Sequence, residues 1–351
     1  MASLTLGTRG SQLALFQAHA VAGLLESRAG VRCEIVVIRT SGDRLAEAPL
    51  SDIGGKRLFV KEIEDALLEG RIDLAVHSSK DMPAVLPAGL MLGAVLPRED
   101  ARDAIVLPAP GPLRRTGPAE NQGYVGRVSE EHVGRVPRSG PAMTIEEIVR
   151  QLGPSPRIGT SSVRRTAQLA RLFSGARFAP IRGNLDTRLR KVDAGEFDAL
   201  VLAAAGLIRL GHERRISVAL PPDACVPAPG QGIIAVEVRE DDGKTTSVVR
   251  QINDPVTLAA LTAERAVVTR LGGGCQMPIG ACASESAEGL TLMAIVISVD
   301  GSRTARADAR GPLDDAALVG ARAAEDLLAR GAGEILAGVD QARAGVQGLQ
   351  P

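Results

Sequence analysis

A carboxylate, a thiol and a set of arginines are the residues of this chain best suited to chemistry. Asp81 closes the string His77-Ser78-Ser79-Lys80-Asp81-Met82-Pro83 at the end of an apolar run. Pro83 biases Met82 towards extended backbone, so Asp81 belongs at a strand end. A carboxylate beside Lys80 ionises readily, and partial burial would oppose that. Such a group can carry a proton or stabilise a cation. From these residues alone the plainer reading is a solvated turn with an incidental Lys–Asp pair, and a lone His77 beside a strand reads as structural. Cys275 follows three glycines in Leu271-Gly272-Gly273-Gly274-Cys275-Gln276-Met277-Pro278. The glycines free the backbone for a sharp turn, which puts the thiol on a loop. A reactive thiolate there needs positive surroundings or a helix end; a free cysteine in a flexible turn fits the string equally well. Cys33, Cys225 and Cys282 form no CxxC pair and have no His cluster, so no zinc site is expected. They read as buried small hydrophobes.

The arginines recur at places where helices should begin. The junctions are Thr8-Arg9-Gly10-Ser11, then Gly159-Thr160-Ser161-Ser162-Val163-Arg164-Arg165, then Arg182-Gly183-Asn184 followed by Thr187-Arg188. A helix start already carries partial positive charge, and arginine there is costly unless an external anion compensates. The planar guanidinium fork suits carboxylates. At any one junction an arginine pointing into water is an equal reading; three junctions in two similar domains favour an anion-binding cleft. No G-x-x-x-x-G-K-[ST] or G-x-G-x-x-G string is present, so a nucleotide loop is not supported. Gly54-Gly55-Lys56-Arg57-Leu58-Phe59 is a basic loop entering a helix, either a lid or a connection.

The elements that must hold these groups alternate. Strands are expected at 4–7, 34–39 and 72–77, with helices at 11–28 and 59–69 between them. The first helix should bury Leu13, Phe16, Ala20, Val21 and Leu24, and Gly70 should stop the second. This order predicts a mostly parallel sheet. It repeats with strands at 157–159, 177–181 and 198–203 and helices at 162–173 and 185–194. A strand at 232–239 could return to the first sheet. Beyond it come a helix from 255 to about 271, a strand pair at 290–299 and 303–309 turning at Asp300-Gly301, and a final helix at 313–328. The fold class is therefore α/β with three domains: 1–103 with 232–250, 104–231, and a small α+β domain at 251–351. Residues 107–156 are rich in proline and read as a surface loop or disordered insertion. Within them, Thr144 and Glu147 predict a capping box before a short helix at 145–152. The terminal GVQGLQP reads as a frayed tail.

Composition removes several classes. With 41 basic and 41 acidic residues and only 2% aromatics, the chain is not expected to bind nucleic acid. The longest apolar stretch, 199–208, is too short to cross a bilayer, and no signal peptide is evident, so a cytoplasmic protein without membrane association is expected. His19, His77, His132 and His212 are too scattered for a metal hydrolase. A solute receptor would suit two lobes around an anion cleft, but it would need an export signal and has no use for Cys275 on a third domain.

Taken in order, the strings TRGSQLALFQAH, GGKRLFVKEIEDALLEGRIDLAVHSSKDMP, PREDARDA, GTSSVRR, IRGNLDTRL, AAAGLIRLG, ALPPDA, APGQG and TAERAVVTRLGGGCQMPIGA closely resemble the porphobilinogen deaminase family. The resemblance runs from 4 to about 242, apart from 107–156, and resumes from 259 to 280. It implies two lobes of periplasmic-binding-protein type around an active site, plus a third domain carrying a cofactor cysteine. It implies a transferase of tetrapyrrole biosynthesis that condenses four porphobilinogens head to tail, with loss of ammonia, to hydroxymethylbilane. It implies a dipyrromethane cofactor held by a thioether to Cys275, and a monomer. By position in the motifs, Asp81, Lys80 and Phe59 take catalytic roles: Asp81 guides protons and stabilises the cation formed as ammonia leaves, and Phe59 stacks on a pyrrole. The cofactor set is Cys275, Arg164, Arg165, Ser162, Ser161, Thr160, Lys56, Asp43, Arg188 and Gly183. The substrate set is Arg9, Ser11, Arg182, Arg209, Ser78 and His77. The 107–156 stretch is longer than the connection usual in this family, Gly10 replaces a larger polar residue, and Gly274 extends the glycine run.

Overall fold

The computed structural model describes residues 3–44, 59–109, 143–273 and 277–347. Lys56, Cys275 and residues 110–142 of the expected insertion lie outside the described residues.

The chain opens with β1 (Ser3–Thr8), α1 (Gln12–Ala29), β2 (Arg32–Val37), the single turn α2 (Ser41–Arg44), α3 (Lys61–Leu68), β3 (Leu74–Ser78) and β4 (Leu90–Val95). Local chemistry accounts for the limits of α1. The Ser11 hydroxyl caps its start by accepting from Ala14 N, and Gly30 ends it in the left-handed region at φ 66°. Its buried face is Ala14, Gln17, Ala18, Ala20, Val21 and Leu25, one position round from the expected Leu13–Phe16–Leu24 stripe. Small Ala14 and Ala18 let the helix lie close on the sheet, while Leu13 turns towards the cleft.

The second lobe holds β5 (Asp103–Val106), α4 (Ile145–Leu152), β6 (Arg157–Gly159), α5 (Val163–Leu169), β7 (Arg177–Ala179), α6 (Leu185–Asp193), β8 (Ala199–Ala203), α7 (Ala204–Arg209) and β9 (Val218–Ala219). The expected capping box of α4 is present: Thr144 and Glu147 satisfy each other's backbone N–H. The chain then returns to the first lobe through β10 (Ile234–Arg239) and α8 (Gly243–Val249).

Both lobes have one topology. The first sheet runs β2-β1-β3-β10-β4 and the second β7-β6-β8-β5-β9. In each, three strands are parallel and the fourth is antiparallel to both of its neighbours. That fourth strand adjoins a crossing between the lobes. Residues 96–102 lead from β4 into β5, and 220–233 lead from β9 back into β10. The sheets are thus mixed where a mostly parallel sheet was expected, because sequence order does not reveal that late β10 inserts between early β3 and β4, or that early β5 inserts between late β8 and β9.

The last unit comprises α9 (Pro255–Arg270), the antiparallel sheet β11 (Ile279–Ser286), β12 (Gly289–Ile297) and β13 (Thr304–Gly311), then α10 (Ala316–Ala329) and α11 (Ala332–Gln347). The expected β12–β13 hairpin is joined by a second partner, β11, which the sequence reading missed. Its buried face is Ile279, Ala281 and Ala283, too small to stand out as a strand. A last helix, α11, was likewise not expected; of the tail GVQGLQP expected to fray, residues 348–351 lie outside the described residues. Ala332, Ile335, Leu336 and Val339 recur at helical spacing and are buried, the first three in the same core as β12. Among the described residues no helix is long and apolar enough to cross a membrane, and no group of His, Cys, Asp and Glu could hold a metal ion.

Candidate active site

The residues after β3 and after β6 meet at a cavity between the lobes, at the carboxyl ends of strands, where ligands bind in such sheets. The site is organised around the 3-10 turn Ser79–Asp81, which continues β3 and closes with Met82 N donating to Ser79 O (3.1 Å). Ser79 N donates to Ile233 O on the returning crossing (3.0 Å). Gly230 packs against the turn at φ 72°, where a Cβ would lie 2.6 Å from Ser79 Oγ, so only glycine fits.

This turn divides two cavities. Asp81 faces one of about 410 Å³, together with Arg9, Ser11, Gln17, Phe59, His77 and Ser78. Ser79 and Lys80 face another of about 620 Å³, where they meet Ser162 and Arg164 of the second lobe and Arg265 and Met277 of the last unit. The second cavity lies where all three parts of the chain meet, and Met277 is two residues from Cys275.

Positive charge is in excess here. Lys80 is partly buried; burial first, and then the charge of Arg165, push its ammonium down to about 8, against the opposing pull of Asp81 and Asp103. Arg188 is lowered to about 10 by burial and by Arg165 and Arg182. Arg209 is lowered to about 10 by burial, with Glu99 opposing, and its Nη2 donates to Gly232 O (2.6 Å). Lys80, Arg165, Arg182 and Arg188 thus share one field with Asp81 as the nearby cleft carboxylate, an arrangement that favours polyanions. Two buried polar atoms on the second cavity, Ser79 Oγ and Arg164 Nε, have no hydrogen-bond partner among the described residues.

Several of the junction arginines already have partners within the protein. Arg164 and Arg165 turn inward on α5 and share the fully buried Asp103: Arg164 Nη1 lies 2.7 Å and Arg165 Nε 2.9 Å from its carboxylate. Burial alone would raise the Asp103 carboxyl, but the two guanidinium groups hold it well below the ordinary range. Arg9 is likewise engaged, with Nη2 2.5 Å from Asp43 Oδ1, and Asp43 is held in turn by Thr40. Burial raises the Asp43 carboxyl; Arg9 and Thr40 outweigh it and keep it low. Phe59 carries the Arg9 guanidinium 4.3 Å above its ring, so one face of the proposed stacking platform is already covered.

The other expected residues divide in the same way. His77 Nε2 is 3.1 Å from the buried Glu237, which ties the ring to β10 behind the cavity. Ser78 exchanges hydrogen bonds with Gln17 of α1. Ser161 Oγ donates to Ile181 O and accepts from Ile181 N, holding two loops together. Thr160 Oγ1 accepts from Ser162 N, and Ser162 caps α5. Gly183, at φ 103°, offers its carbonyl to Arg188 Nε (2.9 Å). Arg182 and Asp81 have no hydrogen bond or ion pair among the described residues.

Sequence reasoning missed a layer of buried polar residues under the site. Arg98 pairs with Glu264 of α9 (Nη1 to Oε1, 2.5 Å) and donates to Gln231 O and Ala283 O; Glu264 also accepts from Gly230 N and Ala283 N. This cluster joins the first crossing, the second crossing and the last unit. Arg98, Gln231 and Glu264 stand inside the strings PREDARDA, APGQG and TAERA, but a lone Arg, Gln or Glu in such a string gives no sign of facing inward.

Two family models match the chain: "Porphobilinogen deaminase, dipyromethane cofactor binding domain" over residues 4–247, and "Porphobilinogen deaminase, C-terminal domain" over 258–329. Porphobilinogen deaminase of Syntrophobacter fumaroxidans is 42% identical over 334 residues, covering 95% of this chain and 96% of the relative. That of Gloeobacter violaceus is 43% identical over 337 residues, covering 95% and 93%. Among solved structures, the methionine-binding protein MetQ matches with TM-score 0.39 and 9% identity over 71% of this chain and 89% of that one. The substrate-binding protein of an amino acid ABC transporter matches with TM-score 0.36 and 12% identity over 74% and 95%.

Proposed function

This chain belongs to the porphobilinogen deaminase family, and from that premise we propose that it condenses four porphobilinogen molecules head to tail into hydroxymethylbilane. In each condensation the aminomethyl C–N bond breaks, ammonia leaves, and a pyrrole α-carbon forms the new C–C bond and loses its proton. Water ends the series as the terminal hydroxyl. Each pyrrole brings an acetate and a propionate, so substrate and product are polycarboxylates. The observation that carries this reading is the Ser79–Asp81 turn. It aims a carboxylate and an ammonium into adjoining cavities within a field of arginines.

Asp81 is the residue placed to hold the pyrrole N–H and to stabilise the cation that develops as ammonia departs. Lys80, Arg182 and Arg188 balance the carboxylates. Arg9, oriented by Asp43, and Ser11 and Ser78 line the cavity into which Asp81 faces. We assign the dipyrromethane cofactor to the second cavity, held by a thioether to Cys275. The unpartnered Ser79 Oγ and Arg164 Nε and the neighbouring Lys80 fit a group bearing several carboxylates. When bound, that group supplies the pyrrole end from which the chain grows. Fixing that end on the protein makes each addition local rather than bimolecular. We assign the domains as 1–103 with 232–250, 104–231 and 251–351, working as a cytoplasmic monomer.

Intact mass and peptide mapping test this directly. Purified protein should carry the mass of two linked pyrroles on the Cys275 peptide, and Cys275→Ser should not. A covalent dipyrrole retained by Cys275→Ser would place the anchor elsewhere. An unmodified wild type that neither acquires the adduct from porphobilinogen nor releases tetrapyrrole would overturn the function.

A further inference from the structure

Asp103 has no assigned role, yet more of the site depends on it than on any other buried carboxylate described. It is the first residue of β5, where the chain enters the second lobe, and it has no exposure. Four donors from two segments converge on it. Arg164 Nη1 lies at 2.7 Å and Arg165 Nε at 2.9 Å, both from α5. Cys225 Sγ at 3.3 Å and Gln231 Nε2 at 3.0 Å come from the returning crossing. Gln231 Nε2 also donates to Ala101 O, on the outgoing crossing (2.7 Å).

One negative charge therefore serves two buried cations. Each also donates to backbone: Arg164 Nη1 to Val226 O (2.7 Å) and Arg165 Nη1 to Val201 O (2.9 Å). Arg164 Nε is left over on the cavity that also holds Lys80. A free arginine searches many rotamers before gripping a ligand, whereas these two are already ordered. A surplus positive charge remains beside the cavity, of the sign a carboxylate would complete.

We propose that Asp103 is a positioning residue for the cofactor seat: it aims Arg164 and Arg165 and fastens them to both crossings, so that the seat keeps its place on the hinge while the lobes move. This rests on the reading of the second cavity as a polycarboxylate site. It also bears on Lys80, whose charged neighbours are Arg165, Arg164, Asp81 and Asp103. Removing the Asp103 charge leaves Lys80 facing both arginines with only Asp81 in support.

The test is Asp103→Asn beside wild type, with Asp103→Glu as the charge-retaining variant. Intact mass would give the fraction of chains carrying the adduct, and steady-state kinetics would give the pH profile. Asp103→Asn is expected to reduce the loaded fraction, to lower kcat/KM by about 10²-fold mainly through KM, and to shift the alkaline limb to lower pH. Asp103→Glu should recover part of each. A folded Asp103→Asn protein with wild-type loading and an unmoved profile would overturn the proposal, since a merely structural residue would change melting alone. If Asp103→Asn does not fold, Gln231→Leu replaces it: all charges stay while one restraint on Asp103 is lost, and an unchanged KM and loaded fraction would overturn the proposal equally. A wild type with neither adduct nor turnover would instead refute the function on which the proposal rests.

Discussion

Lys80 should be a residue that costs the empty protein stability, and its replacement measures that cost. The fall of its pKa from 10.5 to about 8 corresponds to a penalty of about 3 kcal/mol on the charged form. Part of the side chain reaches solvent, so about half of this should be felt. Between these two pH values the folded protein binds fewer protons than the unfolded chain, so stability rises with pH across that window. The penalty is full below about pH 8 and gone above about pH 10.5. Lys80→Met, made in a Cys275→Ser background expected to carry no cofactor, should therefore gain about 1–2 kcal/mol near pH 7 and nothing near pH 10.5. In the loaded protein, with carboxylates against the ammonium, the gain should vanish or reverse, and turnover should collapse. Denaturant melts of the two proteins at several pH values, with and without cofactor, supply the comparison. Equal destabilisation by Lys80→Met at every pH would refute the account of a cation field held ready for an anion.

Two further outcomes are expected. Asp81→Asn should lower turnover by at least about 10²-fold while leaving the melting curve in place, because Asp81 makes no hydrogen bond among the described residues; near-normal turnover would remove Asp81 from the chemistry. Glu264→Gln leaves Arg98 charged and buried and should destabilise the protein by about 3–5 kcal/mol, read from denaturant unfolding. A neutral effect would show that the Arg98–Glu264 cluster does not hold the last unit to the crossings.

Much of the site's frame was legible because it is local. Ser11, Thr144 and Asn184 cap the helices that follow them, and Gly70 adopts positive φ where the chain must turn away. Pro83 follows the Ser79–Asp81 turn as expected, and Asp81 stands at its strand end facing a cavity. The family resemblance rests on such short strings in order. The missed pieces had weaker local signals: β11 buries small residues, and α11 repeats its apolar positions in an alanine-rich stretch near the end of the chain.

What the sequence determined by itself was therefore the set of elements, their caps and the residue types gathered at the strand ends. Tertiary closure decided where those side chains point. Arg164 and Arg165 looked like two free cations at a helix start, but Asp103 lies about sixty residues away in the chain and meets them only when β5 lies against β8. The same holds for Arg98 and Glu264, and for His77 and Glu237, which β10 brings together by inserting between β3 and β4. A buried charge takes whichever partner the folded chain delivers within about 3 Å, because leaving it alone costs more than most local preferences can offset. That choice belongs to the whole chain, and no short window of sequence contains it.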